Sequence, residues 1–174
     1  MSEDLIPRYK EMAADGIHFP GTAIITHKQE IKTLIRRYDA KRVLDYGCGR
    51  GDQYRAPHRI HADWGLKWWD VKLYDPAFER IDERPVGKWD LVVCSDVLEH
   101  IPEDQVDDVI GELFWFASKA VWASVCCRPA KKTFPDSDVN LHVTIQPLVW
   151  WEQRFEWVRS SMELSIPFHL TETP

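Results

Sequence analysis

Apolar positions along this chain follow two different spacings. In residues 27–38, HKQEIKTLIRRY, Ile31, Leu34, Ile35 and Tyr38 recur every three or four positions, which puts them on one face of a helix with Thr26 as its expected cap. KRVLDYGCGRG then reads as a buried strand ending in a glycine-rich turn, and Pro57 keeps the helix after it short. DVKLYDPAF is a second strand, closed by Asp75 and Pro76. KWDLVVCSD is a third, apolar almost throughout, as a strand covered on both faces should be. A helix follows, with Pro102 at its first position and Glu103 and Asp104 in its first turn, running to about Ser118. KAVWASVCC is the next buried strand. VNLHVTI alternates apolar and polar residues and predicts a half-exposed strand or an extended arm. Pro147 opens a short helix through LVWWEQRF, and one or two strands finish the chain.

Strands alternating with helices predict an α/β fold, a Rossmann-like doubly wound and mostly parallel sheet whose ligands bind beyond the carboxyl ends of the strands. Gly47, Asp75, Ser95 and Asp96 stand at such ends. The 174 residues form a single expected domain, with residues 1–26 as a leading segment able to fold over a ligand. With 44% hydrophobic and 29% charged residues the chain is neither disordered nor fibrous. A net charge of −6 argues against a surface built to track a nucleic-acid backbone. The acidic start lacks a signal-peptide pattern, and the most apolar stretch, LFWFASKAVWASVCC, carries Lys119 and is too short for a bilayer. Four cysteines without C-x-x-C spacing fit a reduced, cytoplasmic protein with buried thiols. Among the nine tryptophans, Trp69, Trp89, Trp122 and Trp157 are expected in the core. Trp64, Trp68 and Trp69 cluster near a loop, where they could also cover a ligand.

The turn DYGCGRGD has glycines at 47, 49 and 51. A dinucleotide fingerprint would need glycine at 52, where Asp52 stands, and an acid there would repel a pyrophosphate. The pattern instead resembles motif I of class I S-adenosylmethionine-dependent methyltransferases. That resemblance implies a cofactor held by Asp45, Gly47, Cys48 and Gly49, with Asp45 and Asp52 complementing its positive groups. Asp75 matches the acid that bonds the ribose hydroxyls, and Cys94, Ser95 and Asp96 match motif IV. The resemblance spans residues 40–127. It departs from the family between Asp75 and Trp89, where a helix and a strand that contact adenine are shortened or missing. Phe78 or the tryptophans of residues 64–69 are the expected replacements.

In CSDVLEHIPED, a helical turn would set Asp96, Glu99 and His100 on one face. Two carboxylates and an imidazole suit a divalent ion, with His142 as a fourth ligand. The same turn resembles that of the metal-dependent ribose 2′-O-methyltransferases of small-RNA 3′ ends and of ubiquinone-pathway O-methyltransferases. This implies magnesium or manganese, with zinc or iron as further fits, and a hydroxyl acceptor. In a metal-free reading, His100 takes the acceptor proton directly with Asp96 beside it, or is structural. The expected acceptor is a small molecule, nucleotide or sugar, with nucleic acid less favoured. The alternatives are N-methylation of an amine or nucleobase, and a module that binds S-adenosylmethionine without transferring its methyl. In GIHFPGTAIITHKQ, Phe19, Gly21 and His27 either line the pocket or lead into the first helix. A trimmed sheet edge could be covered by a second copy in a homodimer.

Overall fold

The computed structural model describes residues 5–173. Five strands, β1 (Val43–Tyr46), β2 (Val71–Tyr74), β3 (Trp89–Ser95), β4 (Ala117–Val125) and β5 (Phe168–Glu172), form one parallel sheet in the order β2-β1-β3-β4-β5. The helices are α1 (Ile6–Ala13), α2 (Lys28–Arg37), α3 (Ile60–Asp63), α4 (Val106–Phe116) and α5 (Leu148–Ser161). This is the predicted doubly wound α/β architecture.

The two-residue period of a strand decides what each side chain meets. In β3, Leu91 and Val93 pack with Ile31, Leu34 and Ile35 of α2, while Val92 and Cys94 pack with Ile110 and Leu113 of α4 and Trp151 and Phe155 of α5. In β4, Trp122 joins the first group and Val121 the second. Val43 pairs with Val71 on one side and Leu91 on the other, so the three strands end level, with Gly47, Asp75 and Asp96 at one rim. A third cluster, Leu5, Tyr9, Met12, Phe134 and Leu141, joins α1 to the segment before α5.

Several local expectations are corrected. Thr26 does not cap α2: residues 23–27 form a 3₁₀ turn that runs into the helix, and the Thr26 hydroxyl donates to the Ala23 carbonyl. Pro102 precedes a 3₁₀ turn, Glu103–Gln105, rather than opening α4. That helix stops at Phe116, because β4 begins at the next residue with no loop between them. Of the two forms expected for residues 139–145 the extended arm is found, with one isolated bridge, Thr133 with Asn140, and backbone hydrogen bonds to Lys132 and Glu99. One strand, β5, follows α5. As the short reach from Asp75 to Trp89 predicts, residues 76–88 contain no strand, and β2 is the open edge of the sheet. Trp89 and Trp122 are in the core, but Trp69 is 66% exposed and Trp157, on the outer face of α5, is 56% exposed.

Candidate functional site

The chain turns at Gly47, whose N–H donates to the Tyr74 carbonyl at 2.7 Å. Gly49 donates its N–H to Asp75 Oδ2 at 2.7 Å, and Asp75 Oδ1 accepts from Ala77 N–H at 2.9 Å. The glycine turn and the end of β2 are thereby locked together. Burial raises the Asp75 pKa, and these two N–H groups oppose the rise. Over the turn lies the segment Phe19–Gly21. Its carbonyls accept from Arg50 N–H (2.9 Å, Phe19), Asp52 N–H (3.0 Å, Pro20) and Gln53 N–H (3.0 Å, Gly21).

A cavity of about 640 Å³ opens at this rim, bounded by Gly47, Gly49, Asp75, Phe78, Phe19 and Gly21 on one side and by Tyr9, His100 and His142 on another. Among the described residues, every charged side chain lining it is acidic: Asp75, Asp96, Asp108 and Glu112. A ligand with cationic sulfur and ammonium groups fits that lining. Three residues expected at the cofactor are not among those that line the cavity. Asp45 is 1% exposed, on the side of β1 away from the cavity, where it accepts from Gln53 Nε2 at 2.7 Å. Burial pushes its pKa up to about 7. Cys48 is buried behind the turn, and Asp52 is paired with Arg50. Trp64, Trp68 and Trp69 do not line the cavity, and Trp64 Nε1 instead donates to the Lys28 carbonyl at 3.0 Å. His27, its centroid 5.0 Å from that of Trp122, packs against the core.

Beyond β3 the expected single helical face does not form. Asp96 takes a left-handed φ of 53°, and a 3₁₀ turn, Leu98–His100, follows. Asp96 Oδ1 accepts from the Ser124 hydroxyl at 3.1 Å and from the Thr173 hydroxyl, which commits Ser95 to donate to Ser124 at 2.8 Å. Asp96 therefore stands apart from the group predicted to include it. Glu99, His100 and His142 do converge, offering donor atoms within 4.8 Å of one another.

The hydrogen bonds around this triad fix its chemistry. His100 Nδ1 lies 2.9 Å from the Leu141 carbonyl, and His142 Nδ1 lies 2.6 Å from the Arg128 carbonyl. A carbonyl only accepts, so each Nδ1 carries a proton, and in the neutral ring this tautomer leaves the lone pair on Nε2. Glu99 Oε1 accepts from Cys126 N–H at 3.0 Å, while Oε2 is buried without a hydrogen-bond partner. Burial, with Asp96 adding, pushes the Glu99 carboxyl up to about 8. Burial, with His142 adding, pulls His100 down to about 4.

Two residues that the sequence reading passed over complete the assembly. The Tyr9 hydroxyl lies 3.1 Å from the Leu141 carbonyl and 3.3 Å from His100 Nδ1, tying α1 to the triad. The apolar stripe Leu5, Tyr9, Met12 was its signal. Thr144, 2% exposed, donates its N–H to the Glu99 carbonyl at 3.0 Å and its hydroxyl to the Ile101 carbonyl at 2.6 Å. Thr144→Val keeps the shape and strands the second carbonyl. A loss of about 1–2 kcal/mol in urea unfolding is expected.

Residues 22–126, more than half of the chain, match the family model described as a methyltransferase domain. Helix α1 and the arm carrying His142 lie outside the match. No curated protein matches the chain. No helix among the described residues is long and apolar enough to cross a membrane.

Proposed function

The chain belongs to the methyltransferase-domain family, and from that premise we propose that it moves the methyl of S-adenosylmethionine to a hydroxyl oxygen of a small acceptor, assisted by a divalent ion at Glu99, His100 and His142. The observation that carries the metal-assisted reading is the buried, unpartnered Glu99 Oε2 in a group with two imidazoles, each of which, when neutral, keeps its lone pair on Nε2. A buried acceptor atom left alone costs about 1–3 kcal/mol, and a cation would remove that cost.

Bound S-adenosylmethionine supplies a methyl on a positively charged sulfur, already a good leaving group. Asp75 would hold its ribose and the Gly47–Gly49 turn its backbone approach, with the acidic lining matching its charge. Two imidazoles and one carboxylate suit manganese, zinc or iron better than magnesium, which prefers oxygen ligands. An ion there would lower the pKa of a nearby hydroxyl. The protein's part is to orient the donors: Leu141 and Arg128 fix the two tautomers, and Tyr9 holds the Leu141 carbonyl. An imidazole drawn down to about 4 is a weak base at neutral pH, which favours metal assistance over direct proton removal by His100.

The test is calorimetric titration of manganese, zinc and magnesium into metal-stripped protein, alongside transfer of labelled methyl to pooled hydroxyl and amine acceptors. Glu99→Ala and His142→Ala are each expected to weaken manganese binding and to lower transfer about 100-fold or more. Transfer that is indifferent to metal and to both substitutions would remove the metal from the mechanism, and label appearing on the amine pool alone would mean an amine acceptor. Tight S-adenosylmethionine binding without transfer across the pool would mean a binding module.

A further inference from the structure

We propose that Thr173, the residue after β5, is a positioning residue for the cofactor. Its hydroxyl, with that of Ser124, fixes the Asp96 carboxylate so that Oδ2 receives the ammonium group of S-adenosylmethionine. The inference rests on the S-adenosylmethionine reading above and names how the aminoacyl end of that ligand is held.

An ammonium group that leaves water needs an anion close by, because burying it unpaired is costly. Asp45 and Asp52, expected to complement the positive groups, do not line the cavity. Of the four carboxylates that do, Asp75 has each oxygen bonded to a backbone N–H at the end of β2. Glu112 has each oxygen paired, one with the Tyr46 hydroxyl and one with Arg84. Asp108 is an exposed residue of α4. Asp96 stands at the glycine turn itself: the next residue, Val97, lies so close that a Cβ at Gly47 would meet its Cγ2 at 2.3 Å.

The spacing fits the ligand. Strands β2, β1 and β3 are neighbours in that order, and two strand spacings set the ends carrying Asp75 and Asp96 about 10 Å apart. From a ribose hydroxyl through the sulfur to the ammonium nitrogen run eight bonds, about 10 Å when extended. A ligand with its ribose at Asp75 and its sulfur over Gly47 therefore brings its ammonium group to Asp96.

A row of hydroxyls across the sheet aims the Asp96 side chain. Ser95 pairs with Ser124 of β4, and Ser124 with Thr171 of β5. Thr173 extends that ladder: its N–H donates to the Val125 carbonyl at 2.9 Å, and its carbonyl accepts from Arg128 Nη2 at 3.0 Å. With its backbone fixed on both sides, Thr173 donates its hydroxyl to Asp96 Oδ1. Ser124 donates to the same oxygen at 3.1 Å. These bonds also support the left-handed φ of 53° at Asp96, a conformation that persists only where its surroundings enforce it. Both end on Oδ1, and among the described residues no hydrogen bond reaches Oδ2. A carboxylate held by one oxygen offers the other for a charge-assisted bond. Thr173 lies outside the matched residues 22–126, so the family model does not describe this support.

Calorimetry on the full chain compares S-adenosylhomocysteine with 5′-methylthioadenosine, which keeps the adenine, ribose and sulfur and lacks the aminoacyl arm. Asp96→Asn is expected to weaken S-adenosylhomocysteine about 10–100-fold and Thr173→Val about fivefold, with methylthioadenosine affinity unchanged in both. Thr173→Ser should restore wild-type affinity. In the Asp96→Asn background Thr173→Val should add nothing, because the one residue acts through the other. Parallel loss of both ligands, or a Thr173→Val loss that persists beside Asp96→Asn, would make Thr173 a purely structural residue and overturn the inference. Unchanged S-adenosylhomocysteine affinity in the two variants would overturn it as well. So would tighter binding by Asp96→Asn, which would place the carboxylate of the arm there instead of its ammonium group. Wild-type protein that binds neither ligand would sink the S-adenosylmethionine reading itself and the inference with it.

Discussion

Gly21→Ala is expected to abolish measurable S-adenosylmethionine binding and to cost about 3–5 kcal/mol of stability. Gly21 has φ +69°, and a Cβ there would lie 2.0 Å from the Cys48 carbonyl oxygen and 2.7 Å from the Gly51 nitrogen. Both obstacles are backbone, so no rotamer change relieves them. Gly49 faces the same problem in reverse, since its Cβ would lie 2.5 Å from the Phe19 carbonyl oxygen. The two segments approach this closely because three backbone hydrogen bonds join residues 19–21 to residues 50–53. Forcing them apart breaks those bonds and shifts the turn that carries Gly47 and Gly49. Urea unfolding and cofactor calorimetry on the same preparation test this. An affinity within threefold of wild type would show that the clamp is dispensable.

The second large effect concerns Asp45, where Asn is expected to stabilise the protein at alkaline pH without harming cofactor affinity. Burial raises the Asp45 pKa from 3.8 to about 7. Below pH 4 the carboxyl is protonated in both folded and unfolded chains and its ionisation costs nothing. As pH rises toward 7 the unfolded chain ionises first, so stability falls. Well above 7 the folded protein carries the full penalty, about 4 kcal/mol. Asp45→Asn removes that penalty and keeps the acceptor for Gln53 Nε2. Its amide can also donate to Gln53 Oε1, which is buried without a partner. The difference in unfolding free energy between the two proteins should therefore grow from pH 4 to pH 8 and level off. A difference that stays flat, or a large loss of cofactor affinity in the variant, would return Asp45 to the binding site.

The strand ends were legible because β3 and β4 are long and largely apolar runs, and because glycine, aspartate and proline punctuate the chain. The short reach from Asp75 to Trp89 likewise announced the missing strand. Other features depended on partners far along the chain. Asp45, expected at the cofactor, is instead bonded by Gln53, eight residues on, and does not line the cavity. Asp96 is permitted but not compelled to adopt a left-handed φ, and that one dihedral decides whether it shares a face with Glu99. The convergence of His142 on His100 depends on the arm being pinned by Thr144, a polar residue more deeply buried than Val143 or Ile145 beside it. Exposed Trp69 and Trp157 show the limit of reading burial from residue type alone: their aromatic faces meet Lys67 and Arg154 rather than the core.

The tie between Tyr9 and the triad also bears on the order in which the molecule assembles. Tyr9 bonds residues 91 and 132 positions further along the chain. As the chain is synthesised, α1 emerges ahead of the strands, and its cluster with Phe134 and Leu141 stays incomplete until those residues have followed. Helices α2 and α4 and the four strands between residues 43 and 125 can form their shared layers before that, through shorter loops. The roof over the cavity is thus expected to be the last part to order and the first to open. Hydrogen exchange should find the α1 amides less protected than those of β3 and β4, and bound S-adenosylhomocysteine should protect α1 more than it protects the sheet.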